Sequence, residues 1–424
     1  MNAIAKLLRA TYPHAAFLFC LICNAGVDPT ARAGDTGAPA LTGSGGAASS
    51  AEATGNWGGL RDKLEEHGLT IGLSEIAEAF KNFEGGKDTA NAVVASTVDL
   101  NLTLDTEKAF NWPGGKLYID FEDHAGQNPS TVLTGDLQVF DKYNYPAYSQ
   151  IFELYYEQKL FHDMLRVKIG KVDANTEYSV IDNGLDFIDS STQVTPTLLA
   201  FPTTPDPLPG ANVFFTPLDY FYASFGVYLA NQRDRYLDFT GSPFAIQPTR
   251  DGALFLGEVG LKWTYAPVLR TDGNLKLGFW GHTGTFTRFD GTAQQGAQGF
   301  YAIIDQTLWK PSDKEDEARG VRVFLEYGET DPDVSAISQH TGGGIAWKGF
   351  LLERPDDEIG YSPECAFLSH QAGLNYSYEL IEEFFYKVKL TPWATLQPDL
   401  QYIIHPGGEY RNALVGMVQL TVEF

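Results

Sequence analysis

From residue 69 to the end of the chain, apolar and polar residues alternate in short stretches divided by turn-forming residues. In the last stretch Leu414, Gly416, Val418, Leu420, Val422 and Phe424 form a small or apolar face, opposite Gln419, Thr421 and Glu423. A period of two marks a strand whose faces meet different surroundings. About sixteen strands are predicted, at 69–80, 93–104, 115–123, 150–160, 164–173, 211–216, 222–230, 253–265, 274–286, 298–309, 319–329, 343–352, 358–368, 382–391, 395–404 and 411–424. Charges keep to one face. Leu117, Ile119 and Phe121 oppose Lys116, Tyr118, Asp120 and Glu122, and Leu165, Val167 and Ile169 oppose Arg166 and Lys168. Val321, Val323, Leu325 and Tyr327 oppose Arg322 and Glu326, and Leu396, Leu400, Tyr402 and Ile404 oppose Gln397, Asp399 and Gln401.

The connections sort into short turns, such as 161–163, 354–357 and 391–394, and long loops, such as 124–149, 174–210, 231–252 and 369–381. Short and long connections alternating along the chain suit a barrel in a membrane, with its apolar face toward lipid and its charged face toward a wet lumen. A soluble sandwich gives no reason for that alternation. The prediction is an all-β fold: a transmembrane antiparallel β-barrel of about sixteen strands over 69–424, after a short amphipathic helix within 56–68 that carries Leu60 and Leu64 on one side and stops at Gly68. Trp112, Trp309 and Trp393 near strand ends suit interfacial girdles.

Composition agrees. The chain has 28 Phe, 21 Tyr and 43 Gly, a β-rich profile with many tight turns. Its formal charge of −24 makes nucleic acid and anionic lipid head groups poor partners for the bulk surface. Residues 1–33 read as a secretory signal peptide: Lys6 and Arg9, then the apolar run 15–23, then Ala31-Arg-Ala33 as a cleavage site. Residues 34–55 are a Gly/Ala/Ser-rich linker. Two of the three Cys fall in the leader, which leaves Cys365 as a small strand residue without a disulfide framework.

Several segments resemble the carbohydrate-selective outer-membrane porins of the OprB type. They are Asn56-Trp-Gly-Gly-Leu-Arg-Asp-Lys-Leu-Glu-Glu-His-Gly-Leu69, Phe110-Asn-Trp-Pro-Gly-Gly115, Glu153-Leu-Tyr-Tyr-Glu-Gln158, Val167-Lys-Ile-Gly-Lys171, Arg354-Pro-Asp-Asp-Glu-Ile-Gly360, Leu390-Thr-Pro-Trp393, Leu396-Gln-Pro-Asp-Leu-Gln-Tyr402 and His405-Pro-Gly-Gly408. The resemblance spans about 56–424; Tyr361-Ser-Pro-Glu-Cys365 departs from it. It implies a sixteen-stranded barrel in the outer membrane of a Gram-negative bacterium. Such a barrel takes up sugars by passive diffusion and is narrowed by inward loops lined with Arg, Glu and aromatic side chains. Porins of this size are often homotrimers, although no interface is legible in the sequence.

A sugar channel needs paired donors and acceptors for hydroxyls and an aromatic surface for ring faces, with weak enough binding to release. The inward faces offer Asp120, Glu122, Glu153, Glu157, Arg166, Lys168, Arg322, Glu326 and Arg411, with Trp280 as a stacking surface. The competing reading of each is a wall residue in a salt-bridge network that only stabilises the barrel. The Pro-rich, apolar loop 174–210 would fold inward as the constriction and bury Leu198, Leu199 and Phe201; the alternative is a protein contact or lid outside. No cofactor is expected. His124 and His282 stand at no metal-ligand spacing, and no metal site is expected. Gly-x-Ser-x-Gly and His-Glu-x-x-His are absent, so catalysis is not expected. The rival readings are a general or cation-leaning diffusion porin and a secreted soluble sugar-binding β-protein.

Overall fold

A computed structural model describes residues 52–143, 145–229, 252–264, 271–312, 314 and 317–424. The expected leader, the linker as far as residue 51 and nearly all of loop 231–252 lie outside the described residues. A 3₁₀ turn at Trp57–Gly59 leads into helix α1 (Leu60–Glu66). The strands are β1 (Leu69–Glu84), β2 (Ala92–Asp105), β3 (Gly115–Gly126), β4 (Tyr148–Leu160), β5 (Leu165–Val172), β6 (Leu208–Leu218), β7 (Phe221–Leu229) and β8 (Ala253–Trp263). They continue as β9 (Gly273–Thr287), β10 (Ala293–Trp309), β11 (Gly320–Thr330), β12 (Ile337–Lys348), β13 (Glu358–Leu368), β14 (Tyr378–Thr391), β15 (Ala394–Ile404) and β16 (Ala413–Glu423). One further helix, α2 (Thr106–Phe110), sits between β2 and β3 and is capped by the Asp105 carboxylate.

Each strand pairs antiparallel with its sequence neighbours, and β1 pairs with β16 to close the ring, Ser74 opposite Glu423 through to Glu84 opposite Leu414. Closure leaves no sheet edge, so a strand wall can stand in lipid with its backbone groups satisfied. The faces divide as the alternation predicts. Leu117, Ile169, Phe279, Leu325 and Leu400 point outward and are exposed, with Phe279 at 60% and Leu325 at 61%. Their neighbours Asp120, Lys168, Trp280, Glu326 and Asp399 point inward and are buried. Trp112, Phe161, Tyr220, Trp309 and Trp347 are exposed at strand ends or turns on the side that carries α1, as an interfacial girdle would be.

Three local expectations differ from the structure. The strand expected at 343–352 is β12, Ile337–Lys348. Its opening Ser338-Gln-His-Thr-Gly342 carries the inward residues His340 and Gly342, whose polarity reads as loop in the sequence. Connection lengths alternate clearly from β3 to β8 and again from β13 to β16; between them, 310–319 and 349–357 on the α1 side are longer than 288–292 and 331–336 on the other. In α1 it is Arg61 that is buried, while Leu60 is half exposed. Arg61 donates to the Phe424 carbonyl at 2.9 Å and pairs with Glu52, tying the chain's entry to its last strand.

The interior is not an open tube. The connection 173–207 contributes Tyr178, Ile181, Phe187 and Leu198 to an apolar cluster with Trp280, Tyr301, Phe324 and Phe385 of the inner wall. The connection 127–147 contributes Leu133 and Phe140 to a second, with Phe80, Ile381 and Ile403. Inward glycines on β11 to β13 make room. A Cβ at Gly328 would strike the Thr195 and Thr197 hydroxyls, and one at Gly344 would strike the ring of Phe324 and crowd Phe187.

The face assignment predicts the outcome of charge substitutions. Leu325→Arg, mid-strand on the outer face, lowers unfolding stability in lipid bilayers by about 2–4 kcal/mol, whereas Val321→Arg near the strand end costs about 0–1 kcal/mol. Equal costs measured by denaturant titration in vesicles contradict the assignment.

Candidate constriction site

Inward residues of β3 to β6 build one charged wall. Arg166 donates to Glu157 at 2.9 Å and, through two nitrogens, to both oxygens of Glu177 at 2.7 and 2.9 Å. Lys168 also pairs with Glu177, and Lys116 lies 3.6 Å from Glu157. Aromatic rings support the cations: the Arg166 guanidinium lies 3.7 Å from the Phe214 ring centre and the Lys168 ammonium 4.2 Å from that of Tyr155. Tyr155 in turn stacks on Tyr118 at 5.0 Å. Arg166 and Lys116 keep about a quarter of their side chains exposed, at 26% and 25%, whereas Glu157, Glu177 and Lys168 are buried. Arg166 and Lys116 are thus the more exposed cations of this wall.

A second wall stands halfway round the ring on β11 to β14. Arg322 donates to both oxygens of Glu358 at 2.9 and 3.0 Å, and Lys387 donates to Asp186 at 2.7 Å. Asp186 also lies 3.9 Å from Arg322. Lys276 on β9 adds a pair with Asp182 at 2.9 Å. Arg166, Arg322, Glu358 and Lys276 all sit close to the strand ends nearest α1, so the charges gather toward one end of the barrel.

The connection 173–207 joins the two walls, because Glu177 belongs to one and Asp182 and Asp186 to the other. Its backbone is held by inward carboxylates. Glu153 accepts from the amide of Asp173 at 2.8 Å and Glu258 from that of Ser179 at 3.1 Å. Asp305 accepts from Asn183 at 2.8 Å, and Glu383 accepts from Ile188 at 2.7 Å and Asp189 at 2.9 Å. Glu379 does the same for the other inner connection, accepting from Leu137 and Gln138. The carboxylates of the loop itself are tuned by their partners. Burial alone would raise Asp186, but Lys387, Arg322 and Lys142 outweigh it and hold the carboxyl below the usual range. Glu177 is likewise held low, with Lys168 and Arg166 overcoming the effect of burial.

The sequence candidates fall in different places. Glu157, Arg166 and Lys168 meet in the first wall and Arg322 anchors the second. Asp120 and Glu122 are inward but buried. Glu153 holds the loop. Leu198 is buried, with Leu199 and Phe201 packed against the same apolar cluster. Trp280 is inward as its parity required, yet only 2% exposed: it lies beneath the loop among Tyr178, Tyr301 and Phe324 and offers no open ring face. Glu326 is wholly buried beside His340. Arg411 is not on the inner wall; it sits exposed in the connection 405–412, where strand parity has no meaning.

Sequence reasoning missed Lys116, Glu358 and Lys387 as candidates, although strand parity alone would have placed them inward. Glu177, Asp182 and Asp186 carry no such signal, since the loop has no period.

Comparison with known proteins gives the same architecture. Residues 91–424 match the model of the family described as "Carbohydrate-selective porin, OprB family". Porin B of Pseudomonas aeruginosa is 24% identical over 419 residues, covering 87% of this chain and 90% of that protein. The solved high-pH structure of Pseudomonas putida OprB superposes with a TM-score of 0.81 at 20% identity, covering 89% of this chain and 99% of that one. The low-pH structure of the same protein gives a TM-score of 0.61 at 18% identity, covering 89% of this chain and 100% of that one. With a closed sixteen-strand barrel, charge-paired inner walls and a family match over most of its length, the chain belongs to the OprB family of carbohydrate-selective porins, channels of the Gram-negative outer membrane.

Proposed function

We propose that neutral monosaccharides and small oligosaccharides diffuse passively between the Arg166 wall and the Arg322 wall, with the connection 173–207 setting the narrowest passage. The observation that carries this reading is the pairing of cations with carboxylates: Arg166 with Glu157 and Glu177, Arg322 with Glu358, Lys387 with Asp186. A paired lumen offers sugar hydroxyls donors and acceptors side by side, while its near balance gives a solute ion little net attraction. Tyr118, half-buried and stacked on Tyr155, whose ring centre lies 5.6 Å from the Lys116 ammonium, is the partly exposed aromatic surface of the first wall.

Three further readings belong with this one. Residues 1–33 act as a removable export signal, lipid covers the outward apolar face, and the barrel assembles as a homotrimer. A cation-leaning general pore is the second functional reading, and the excess of 54 acidic over 30 basic residues is what favours it.

Current block through single channels in planar bilayers tests the sugar reading. Replacing Arg166 by Ala removes a charge-assisted hydrogen bond to the solute, about 1.5–3 kcal/mol, and raises the half-blocking sugar concentration roughly tenfold or more. Arg166→Lys restores part of it. Block that is unchanged in both variants rejects Arg166 as a sugar contact, and a wild-type channel that no sugar blocks favours the general pore.

The depressed carboxyl of Asp186 gives a pH test of loop docking. A group whose folded pKa is lowered adds stability above its unfolded value, about 3.9 for Asp, and loses it as pH falls through the folded value. Asp186→Asn therefore speeds hydrogen exchange of the amides around 182–189 roughly tenfold or more at pH 7. The gap to wild type narrows as pH drops below that unfolded value. A gap that stays constant down to strongly acid pH shows that the Asp186 charge does not hold the loop.

A further inference from the structure

Three inward residues on neighbouring strands form a cluster that the transport site does not use. Glu326 on β11, His340 on β12 and Glu364 on β13 are all buried. One donor atom from each lies within 4.8 Å of the other two. His340 Nε2 is 3.4 Å from Glu364 Oε2, and His340 Nδ1 is 3.7 Å from Glu326 Oε2. The imidazole lies between the two carboxylates, with a different ring nitrogen toward each. Neither imidazole nitrogen has a hydrogen-bond partner among the described residues, and the Glu326 and Glu364 carboxyls, with no other group to satisfy Glu326 or Glu364 Oε2, meet only each other.

The surroundings deepen the imbalance. Among the described residues no Lys or Arg forms an ion pair with Glu326 or Glu364. The loop acid Asp189 interacts with Glu364 unfavourably and has its own Oδ2 unpaired. Buried carboxylates without a cation or a set of donors are costly. Two features also shape the space. Gly342 faces Glu364 with no side chain, and any Cβ there would overlap the carboxylate. Ser362 donates to the other Glu364 oxygen at 2.6 Å and fixes its orientation, as an outer partner of a metal ligand does.

We propose that Glu326, His340 and Glu364 bind one first-row divalent cation, of the zinc or manganese kind, on the inner wall beneath the connection 173–207. One imidazole and two carboxylates are a donor set for such ions rather than for calcium, which takes oxygen ligands. Bond lengths of about 2.0–2.2 Å place tetrahedral donors roughly 3.3–3.6 Å apart. The His340 Nε2–Glu364 spacing already meets that; because Glu326 faces the other ring nitrogen, Nδ1, an ion held by Nε2 needs the Glu326 carboxylate, now within 4.8 Å, to turn toward the Nε2 side. The bound ion clips β11, β12 and β13 together where Thr195 and Thr197 rest on the wall, so it stabilises the loop's platform rather than touching the solute. The ligands come from three strands, which is why no spacing in the sequence betrays them.

The site is buried, so the full chain is unfolded and refolded into detergent micelles with zinc chloride, then freed of loose metal by gel filtration. Bound zinc is measured by plasma mass spectrometry, and barrel integrity by heat-modifiable gel migration. Wild type is expected to retain one zinc per chain, to unfold at higher temperature with zinc than with chelator, and to ignore calcium. His340→Gln and the double variant Glu326→Gln with Glu364→Gln are expected to fold but to lose zinc affinity at least about tenfold. Substoichiometric zinc in wild type, or equal zinc in the variants, marks an adventitious ion only and overturns the proposal. It is also overturned if zinc leaves wild type unchanged while the double variant is the more stable in chelator, which identifies a proton shared between the two carboxylates. Should His340→Gln fail to migrate as a folded barrel, the same comparison is read from the Glu364→Gln single variant.

Discussion

A chain segment that crosses the inside of a barrel lies beside no strand edge, so its amides have no ladder to join. In this protein the inner wall supplies the missing acceptors as carboxylates. Glu153, Glu258, Asp305 and Glu383 receive amides of the connection 173–207, and Glu379 receives those of 127–147. Each such bond left unmade in the interior would cost about 1–3 kcal/mol. The loop's position across the lumen depends on this set of contacts, and the two charged walls depend on the loop, because Glu177 and Asp186 complete them. The acid excess of the chain thus has a structural use: part of it holds backbone, and part neutralises Arg and Lys.

The same logic explains why the small residues are where they are. Gly328 and Gly344 let Thr195, Thr197 and Phe187 approach the backbone of β11 and β12. Phe187 then meets Phe324 and Phe385 edge to face at 5.7 and 4.9 Å. Carboxylates fix the loop's backbone while aromatics fix its side chains. The outward face needs none of this and is mostly apolar.

What the sequence made legible follows from periodicity. Every strand was visible, because an alternating face in Leu117 to Glu122 or Leu396 to Gln401 states both its structure and its orientation. The inward placement of Arg166, Lys168 and Arg322 followed directly. Legibility failed where the period stops or where inward residues are too small or too polar to stand out. β12 begins with Ser338 and Gln339 and carries three successive glycines, so its start was read six residues late. Parity put Trp280 on the inner wall but could not say that Tyr178 and its loop would cover it. Arg411 was grouped with the wall although its segment is a connection. Glu177, Asp186 and the Glu326–His340–Glu364 group are brought together only by closure of the ring and by the path of the loop.

A passage whose cations are each paired should prefer a neutral, hydroxyl-rich solute over a charged or zwitterionic one of equal size, and the preference should require the loop in place. Flux into liposomes of glucose and of amino acids of similar size, through wild type and through Glu383→Ala, tests that claim most directly. The account predicts faster, saturating glucose entry in wild type, blocked by excess sugar, and a loss of the preference with rising amino-acid flux in Glu383→Ala. Flux ordered by solute size alone, and the same in both proteins, would contradict it.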